Sequence, residues 1–304
     1  MSLRNVILVP AVLALSVPAA AQSAPDGFFI DGYAEIESLH TSNDDDNFSR
    51  ANFDLGFEPS STASNLPIGF TLGIDSVHGL GFNENAIYGA LTYRADFGKF
   101  SLGAPRGVAD DYLDFPPVGG LRALDLEITP VGSMGLVSFF ALSHDTPYGL
   151  RYDGTFGQFD VGAAYHRFTD GDVDAYGLAL RYRFNDMWKA TGTIEHATPP
   201  GSSITRYAMA VEGESERLKG GLRYVSSDFG SSDINAVNGY LTYTPVERLD
   251  LTVSAINVES GGSTTIYGLD GRYTSTLGAY VAAGIADSSN SFSTIYNVSV
   301  GWEF

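Results

Sequence analysis

The charged residues of this chain form groups whose types and spacing could do chemistry. One is a run of acids between Ala104 and Pro147: Asp110, Asp111, Asp114, Asp125, Glu127 and Asp145, with Arg106 and Arg122 among them. Another is a scatter of bases, Arg50, Arg94, Arg181, Arg183, Arg206, Lys219, Arg223 and Arg272, each in a segment where apolar and polar residues alternate. Rings of such charges facing each other across water act on ions and polar solutes. A third group, Asp44, Asp45 and Asp46 in TSNDDDN, offers hard oxygens to a divalent cation. It lacks calcium-loop spacing and reads as a solvated external loop. A structural calcium is the one cofactor left open, and no other is expected.

Enzymatic chemistry finds little support. His40, His78, His144, His166 and His196 make no metal-spaced pair. No GxSxG, P-loop or HExxH is present, and GLGF (Gly79 to Phe82) reads as a turn. His166 or His196 beside a serine would be the candidates for a hydrolase site on a barrel wall.

The elements that must position these charges are strands. Period-two alternation fills the chain after Ala21. In RANFDLGFE, Ala51, Phe53, Leu55 and Phe57 share one face, and Arg50, Asn52, Asp54 and Glu58 the other. In YGLALRYRF, Tyr176, Leu178, Leu180, Tyr182 and Phe184 oppose Arg181 and Arg183. The final IYNVSVGWEF sets Val298, Val300, Trp302 and Phe304 against Asn297, Ser299 and Glu303. Tight turns (ADFG, GTFG, FNDM, ESER, PVER, STLG) alternate with looser polar loops (TDGD, TPPGSS, DFGSSD, ESGGS, DSSNS). Each repeat is therefore a hairpin of two strands.

One segment, Ala104 to Pro147, breaks the rhythm and carries five of the prolines. A connection of that length without its own secondary structure is unusual unless functional. Reading it as a long loop with a short helical or strand-like piece leaves five strands before and eleven after. The alternative takes Leu121–Thr129 and Met134–Ser143 as wall strands, making eighteen.

Met1 to Ala21 has Arg4, an apolar run from Val6 to Val17 and Ala19-Ala20-Ala21, which predicts a secretory signal peptide and a mature segment from Gln22 to Phe304. Cysteine is absent, so no disulfide or thiolate metal site supports the fold. A formal charge of −19 opposes binding to nucleic acid and electrostatic docking on anionic lipid. No apolar run after the signal is long enough for a transmembrane helix, but transmembrane strands need only about 9–11 residues.

Alternation alone also fits a soluble β-sandwich. The inverted arrangement is favoured by a polar face rich in Arg, Lys, Glu and Asp. It is favoured too by aromatics near strand ends, among them Phe28, Phe29, Tyr93, Phe97, Phe156, Tyr182, Trp188, Tyr243, Tyr280, Trp302 and Phe304. A bilayer forces the backbone into a closed barrel and covers a terminal Phe.

These features together resemble the Gram-negative outer-membrane porins, particularly the general porins of alphaproteobacterial type. The resemblance rests on the signal peptide, the acidic cysteine-free composition, the alternating strands, the long segment after the fifth strand and the terminal GWEF. It implies an all-β, 16-stranded antiparallel transmembrane barrel whose long third loop, residues 104–147, folds into the lumen. It implies a homotrimer among outer-membrane lipid and lipopolysaccharide, passing small hydrophilic solutes and ions by passive diffusion. Acidic loop residues Asp110, Asp111, Asp114, Asp125 and Glu127 would then face Arg50, Arg94, Arg181, Arg183, Arg206 and Arg223 across the constriction, with a mild cation preference. An outer-membrane barrel hydrolase and a secreted soluble β-protein are the competing readings.

Overall fold

The structure, a computed structural model, describes residues 27–41, 45–58, 67–113, 115–143, 146–169, 171–290 and 293–304. The signal-peptide segment, Asp44, Asp114 and Asp145 lie outside the described residues.

Five strands precede the long segment: β1 (Phe28–His40), β2 (Asp45–Phe57), β3 (Ile68–Gly79), β4 (Phe82–Ala95) and β5 (Gly98–Ala104). After it come β6 (Tyr148–Phe156), β7 (Phe159–Phe168), β8 (Val173–Arg183), β9 (Trp188–Thr198), β10 (Ile204–Glu214) and β11 (Leu218–Asp228). The wall ends with β12 (Asp233–Val246), β13 (Leu249–Glu259), β14 (Ser263–Thr274), β15 (Ala279–Ser288) and β16 (Ile295–Glu303). Each strand pairs antiparallel with its sequence neighbours, and β1 pairs with β16 to close the barrel. Closure leaves no free edge, which lipid requires because it offers the backbone no hydrogen bonds.

Strand parity decides the two faces. Leu91, Leu102, Leu178, Met209, Leu222, Val298 and Val300 point outward and are exposed, Leu91 by 66%. Their in-strand neighbours Thr92, Ser101, Ala179, Ala210, Asn297 and Ser299 point inward and are buried. An apolar belt this continuous exceeds what a soluble surface tolerates and fits a hydrocarbon surround. Aromatics ring both ends of it: Tyr93, Phe156, Phe159, Trp188, Tyr243 and Tyr273 near the tight turns, and Tyr148, Tyr165, Tyr176, Tyr207, Tyr267 and Tyr296 near the looser loops. Two residues expected in these rings, Phe29 and Tyr280, face the lumen instead. Parity places them there, and the Tyr280 hydroxyl donates to Glu35 at 2.6 Å.

All six tight turns lie on one rim, with the ends of β1 and β16, and the looser loops lie on the other. GLGF is the tight β3–β4 connection on the loop rim. It uses positive φ at Gly79, Leu80 and Gly81, a conformation glycine adopts without penalty.

The β5–β6 connection holds helices α1 (Val108–Tyr112), α2 (Arg122–Glu127) and α3 (Leu136–Ser143), with a 3₁₀ turn at Val118–Gly120. The segments weighed as two extra strands are thus mainly helical, and the wall stays at sixteen strands.

Candidate functional site: the lumenal loop and the charges around it

The long loop enters the barrel directly from β5, through an arginine clamp. Arg106 donates to Asp54 at 2.9 and 2.7 Å and to Asp75 at 2.8 Å. Its guanidinium also stacks 4.3 Å from the centre of the Tyr88 ring. Burial alone would lower its pKa, but the Asp75 and Asp54 carboxylates outweigh that and hold it above the ordinary guanidinium value. His166, fully buried on β7, lies 2.9 Å by Nε2 from the Pro105 carbonyl oxygen.

Farther along, the wall caps the helices of the loop. A helix leaves N–H groups free at its start and carbonyls at its end, with matching partial charges. Wall acids meet the starts. Glu37 accepts from Ala123 N in α2 at 3.1 Å, and Glu195 accepts from Leu136 N in α3 at 2.8 Å. Wall arginines meet carbonyls. Arg181 donates to Asp111 O and Tyr112 O at the end of α1, both at 3.0 Å. Arg206 donates to Gly132 O at 2.6 Å and Met134 O at 2.8 Å, and pairs with Glu195 at 3.1 Å. Arg223 donates to Val131 O at 3.3 Å and lies over Phe115.

Two wall glycines let the loop approach the backbone. A Cβ at Gly268 would sit 2.5 Å from Gly119 N and Cα, and one at Gly284 only 2.0 Å from Gly119 O. Ser254 receives the Gly119 N–H at 3.1 Å. Around these contacts the loop buries Leu113, Phe115, Val118, Leu121, Leu124, Val131, Val137 and Phe140. They pack with inward apolar residues nearer the loop rim, including Phe48, Val77, Phe168, Val173, Val225 and Ile256. The loop is therefore a packed structure held across the lumen.

This architecture changes the roles of the charges expected at the constriction. Asp110 is spent inside the loop, accepting from Gly135 N at 2.7 Å and Ser138 Oγ at 2.8 Å. Burial raises its pKa, against the lowering effect of those donors. Asp125 is likewise internal, accepting from Ser133 N at 3.1 Å. Asp111 is half-exposed and meets Arg151 of β6, a base the expected set omitted. Alternation in YGLRYDGTF already placed Arg151 on the polar face. Glu127 is exposed on the loop. Tyr112 lies under Arg181, and its phenol is pushed up to about 12, chiefly by burial.

The expected wall bases all face inward but divide in use. Arg181, Arg206 and Arg223 hold loop carbonyls, as above. Arg94 pairs with Glu58 at 2.6 Å near the turn rim, and Arg183 pairs with Asp160. Arg50 sits 6.0 Å from the Tyr33 ring centre, and Arg122, from the loop itself, stacks 4.1 Å from that ring and pairs with Glu35 at 3.2 Å. The loop thus sends arginines to an acidic wall as well as an acid to a basic one.

Away from the rims the inward charges of the wall separate into two arcs. From β12 through β16 and β1 to β3 they are mostly acids: Asp250, Asp270, Glu303, Asp31, Glu35, Glu37, Asp54 and Asp75, with Arg272 and Arg50. From β4 to β11 they are mostly bases: Arg94, Lys99, Arg151, Arg181, Arg183, Lys189, Arg206, Lys219 and Arg223, with Asp153, Asp160, Glu195 and Glu212. Fixed charges of opposite sign on opposed walls set up a field across the lumen.

Comparisons with known proteins agree with this architecture. No curated protein sequence gives a significant match. Among solved structures, the in-vitro folded, trimer form of OmpT, an outer-membrane protein of Vibrio cholerae, superposes with a TM-score of 0.65 at 16% identity, covering 92% of this chain and 100% of that one. A porin refined at 1.8 Å gives 0.64 at 16% identity, covering 91% of this chain and all of its own. An engineered variant of the Rh. blastica porin gives 0.61 at 14% identity, with 91% and 100% coverage. At these identities the likeness speaks for the fold. The family model described as Gram-negative porin matches residues 8–293. With an apolar belt outside and charged arcs inside, this chain belongs to the Gram-negative porin family and is an outer-membrane channel protein.

Proposed function

We infer that the barrel passes small hydrophilic solutes and ions down their gradients, as a homotrimer and without catalysis. The observation that carries the reading is the combination of an inward charged wall with a loop pinned across the lumen by Arg106 and the wall arginines. Such a device sieves by size and charge and uses no energy input. Asp111, with Arg151 and Arg181 beside it, is the loop acid best placed to act on passing ions. The trimer is supported by the trimer form of the V. cholerae protein. Outer-membrane lipid and lipopolysaccharide are the partners that an exposed apolar belt calls for. The catalytic alternative gains nothing from the two candidate histidines. His166 is buried against Pro105, and His196 sits on the outward face, 2.9 Å from Thr205 Oγ1.

The reading is tested by chemical cross-linking of the purified protein in detergent, with liposome swelling on the same sample. Cross-linked trimers and swelling in small sugars are expected. A monomer under all conditions removes the trimer, and hydrolysis of a lipid or ester without solute uptake would favour an enzyme.

A further inference from the structure

The outer face of the barrel is smooth apolar wall except on β10 to β13, where four outward positions carry little or no side chain. Strand parity points Gly213, Gly220, Gly239 and Ala255 outward, in line with the exposed Val211, Leu222, Leu241 and Val253. Gly213 pairs with Gly220 across β10 and β11, and Gly239 pairs with Ala255 across β12 and β13. A diagonal groove therefore cuts the wall from the ESER turn to the middle of β13, with a volume of about 690 Å³ and an almost wholly apolar lining. Val211 and Leu222 stand on its loop-rim side, and Leu218, Leu241 and Val253 on its turn-rim side. It crosses four strands, about 14 Å at the ordinary strand spacing. Trp188 closes the turn-rim end, its ring so placed that a Cβ on Gly213 would meet it at 2.8 Å. Beyond that ring the turn presents Glu214, Ser215, Glu216 and Arg217, all exposed.

Apolar walls keep water out of such a groove, and leaving it empty forfeits the dispersion contacts of its lining. An extended acyl chain has the shape to fill it. That chain gains little from apolar contact alone, because the surrounding lipid is equally apolar, so selection falls to the headgroup. Two carboxylates beside one guanidinium match an ammonium beside a phosphate. An anionic head would meet those carboxylates and a chain of formal charge −19. We propose that the groove on β10–β13 binds one zwitterionic phospholipid, with an acyl chain along Gly213, Gly220, Gly239 and Ala255. Its phosphate lies at Arg217 and its ammonium at Glu214 and Glu216. The site is on the outer face, so its occupancy is independent of what passes through the lumen.

Tryptophan fluorescence tests it. Trp188 and Trp302 are the two tryptophans of the chain, so Trp302→Phe leaves Trp188 as the sole reporter. The purified protein, in a non-ionic sugar detergent, is titrated with phosphatidylethanolamine bearing brominated acyl chains, and separately with phosphatidylglycerol bearing the same chains. Quenching of Trp188 should saturate with both, at about fivefold less of the zwitterionic lipid, the scale of a few surface charge contacts. Ala255→Leu, which fills the groove, should abolish the saturable quenching. E214Q/E216Q should bring the two midpoints together. The comparison of the two lipids needs no change in the groove, and the barrel of each variant is checked by its heat-modifiable migration on gels. Quenching that never saturates would overturn the proposal. So would a midpoint for phosphatidylglycerol equal to or below that for phosphatidylethanolamine, or quenching that survives Ala255→Leu unchanged.

Discussion

At the scale of single residues, burial separates charges that function from charges that hold. Asp110 and Asp111 are adjacent in sequence and have different roles. Asp110 accepts two bonds inside the loop, whereas Asp111 reaches Arg151 at the edge of the lumen. Asp111→Asn should therefore shift the reversal potential in a salt gradient away from cations, while Asp110→Asn should leave it nearly unchanged. An equal shift from both would place Asp110 at the water-filled face. Because burial raises the Asp110 pKa, the folded loop favours its neutral form. Its contribution to loop stability is full below the ordinary carboxylate range and is lost as pH rises through the raised value. Asp110→Asn should remove that loss, making proteolysis of the loop less dependent on pH above the ordinary carboxylate range. Asp110→Ala should instead cost about 1–3 kcal/mol by stranding Gly135 N–H and Ser138 Oγ, read as a lower unfolding midpoint.

At the scale of elements, the wall was legible in the sequence and the loop was only partly so. A strand repeats every two residues, so Leu178, Leu180, Arg181 and Arg183 reveal their faces without any knowledge of their neighbours. The strands outside residues 104–147, the rim of each turn and the inward faces of the expected bases follow from that local rule, whereas the choice between sixteen and eighteen strands did not. The loop answers to partners far away in sequence. Nothing near Asp125 announces that Ser133 will cap it, or that Glu37 and Glu195 will cap α2 and α3. The girdle reading misplaced Phe29 and Tyr280, because aromatic character alone does not separate a girdle from a lumen, although strand parity puts both inside. The face assignment has a direct test. Leu178 is at the centre of β8 and 58% exposed. Leu178→Arg should destabilise the barrel by about 2–4 kcal/mol in a bilayer, the cost of a cation on the lipid face near the midplane. Denaturant unfolding from lipid vesicles measures it, and a neutral substitution would mean that this face does not meet hydrocarbon.

At the scale of the whole molecule, the barrel and the loop are two solutions to the same constraint. Lipid demands closure of the backbone, and closure creates an interior that must be filled with water or protein. This chain does both, with apolar packing around the loop and charged arcs toward the turn rim. Arg106 links the two, since it joins the start of the loop to Asp54 and Asp75 of the wall. Function therefore turns on whether the purified protein forms a water-filled pore whose width the pinned loop sets. Single-channel recording in a planar bilayer, on the wild type and on Arg106→Ala, measures this directly. Stepwise ohmic openings are expected from the wild type, with larger or noisier steps once the clamp is lost. Reconstituted barrels that show no steps, or steps identical in the two proteins, would contradict it.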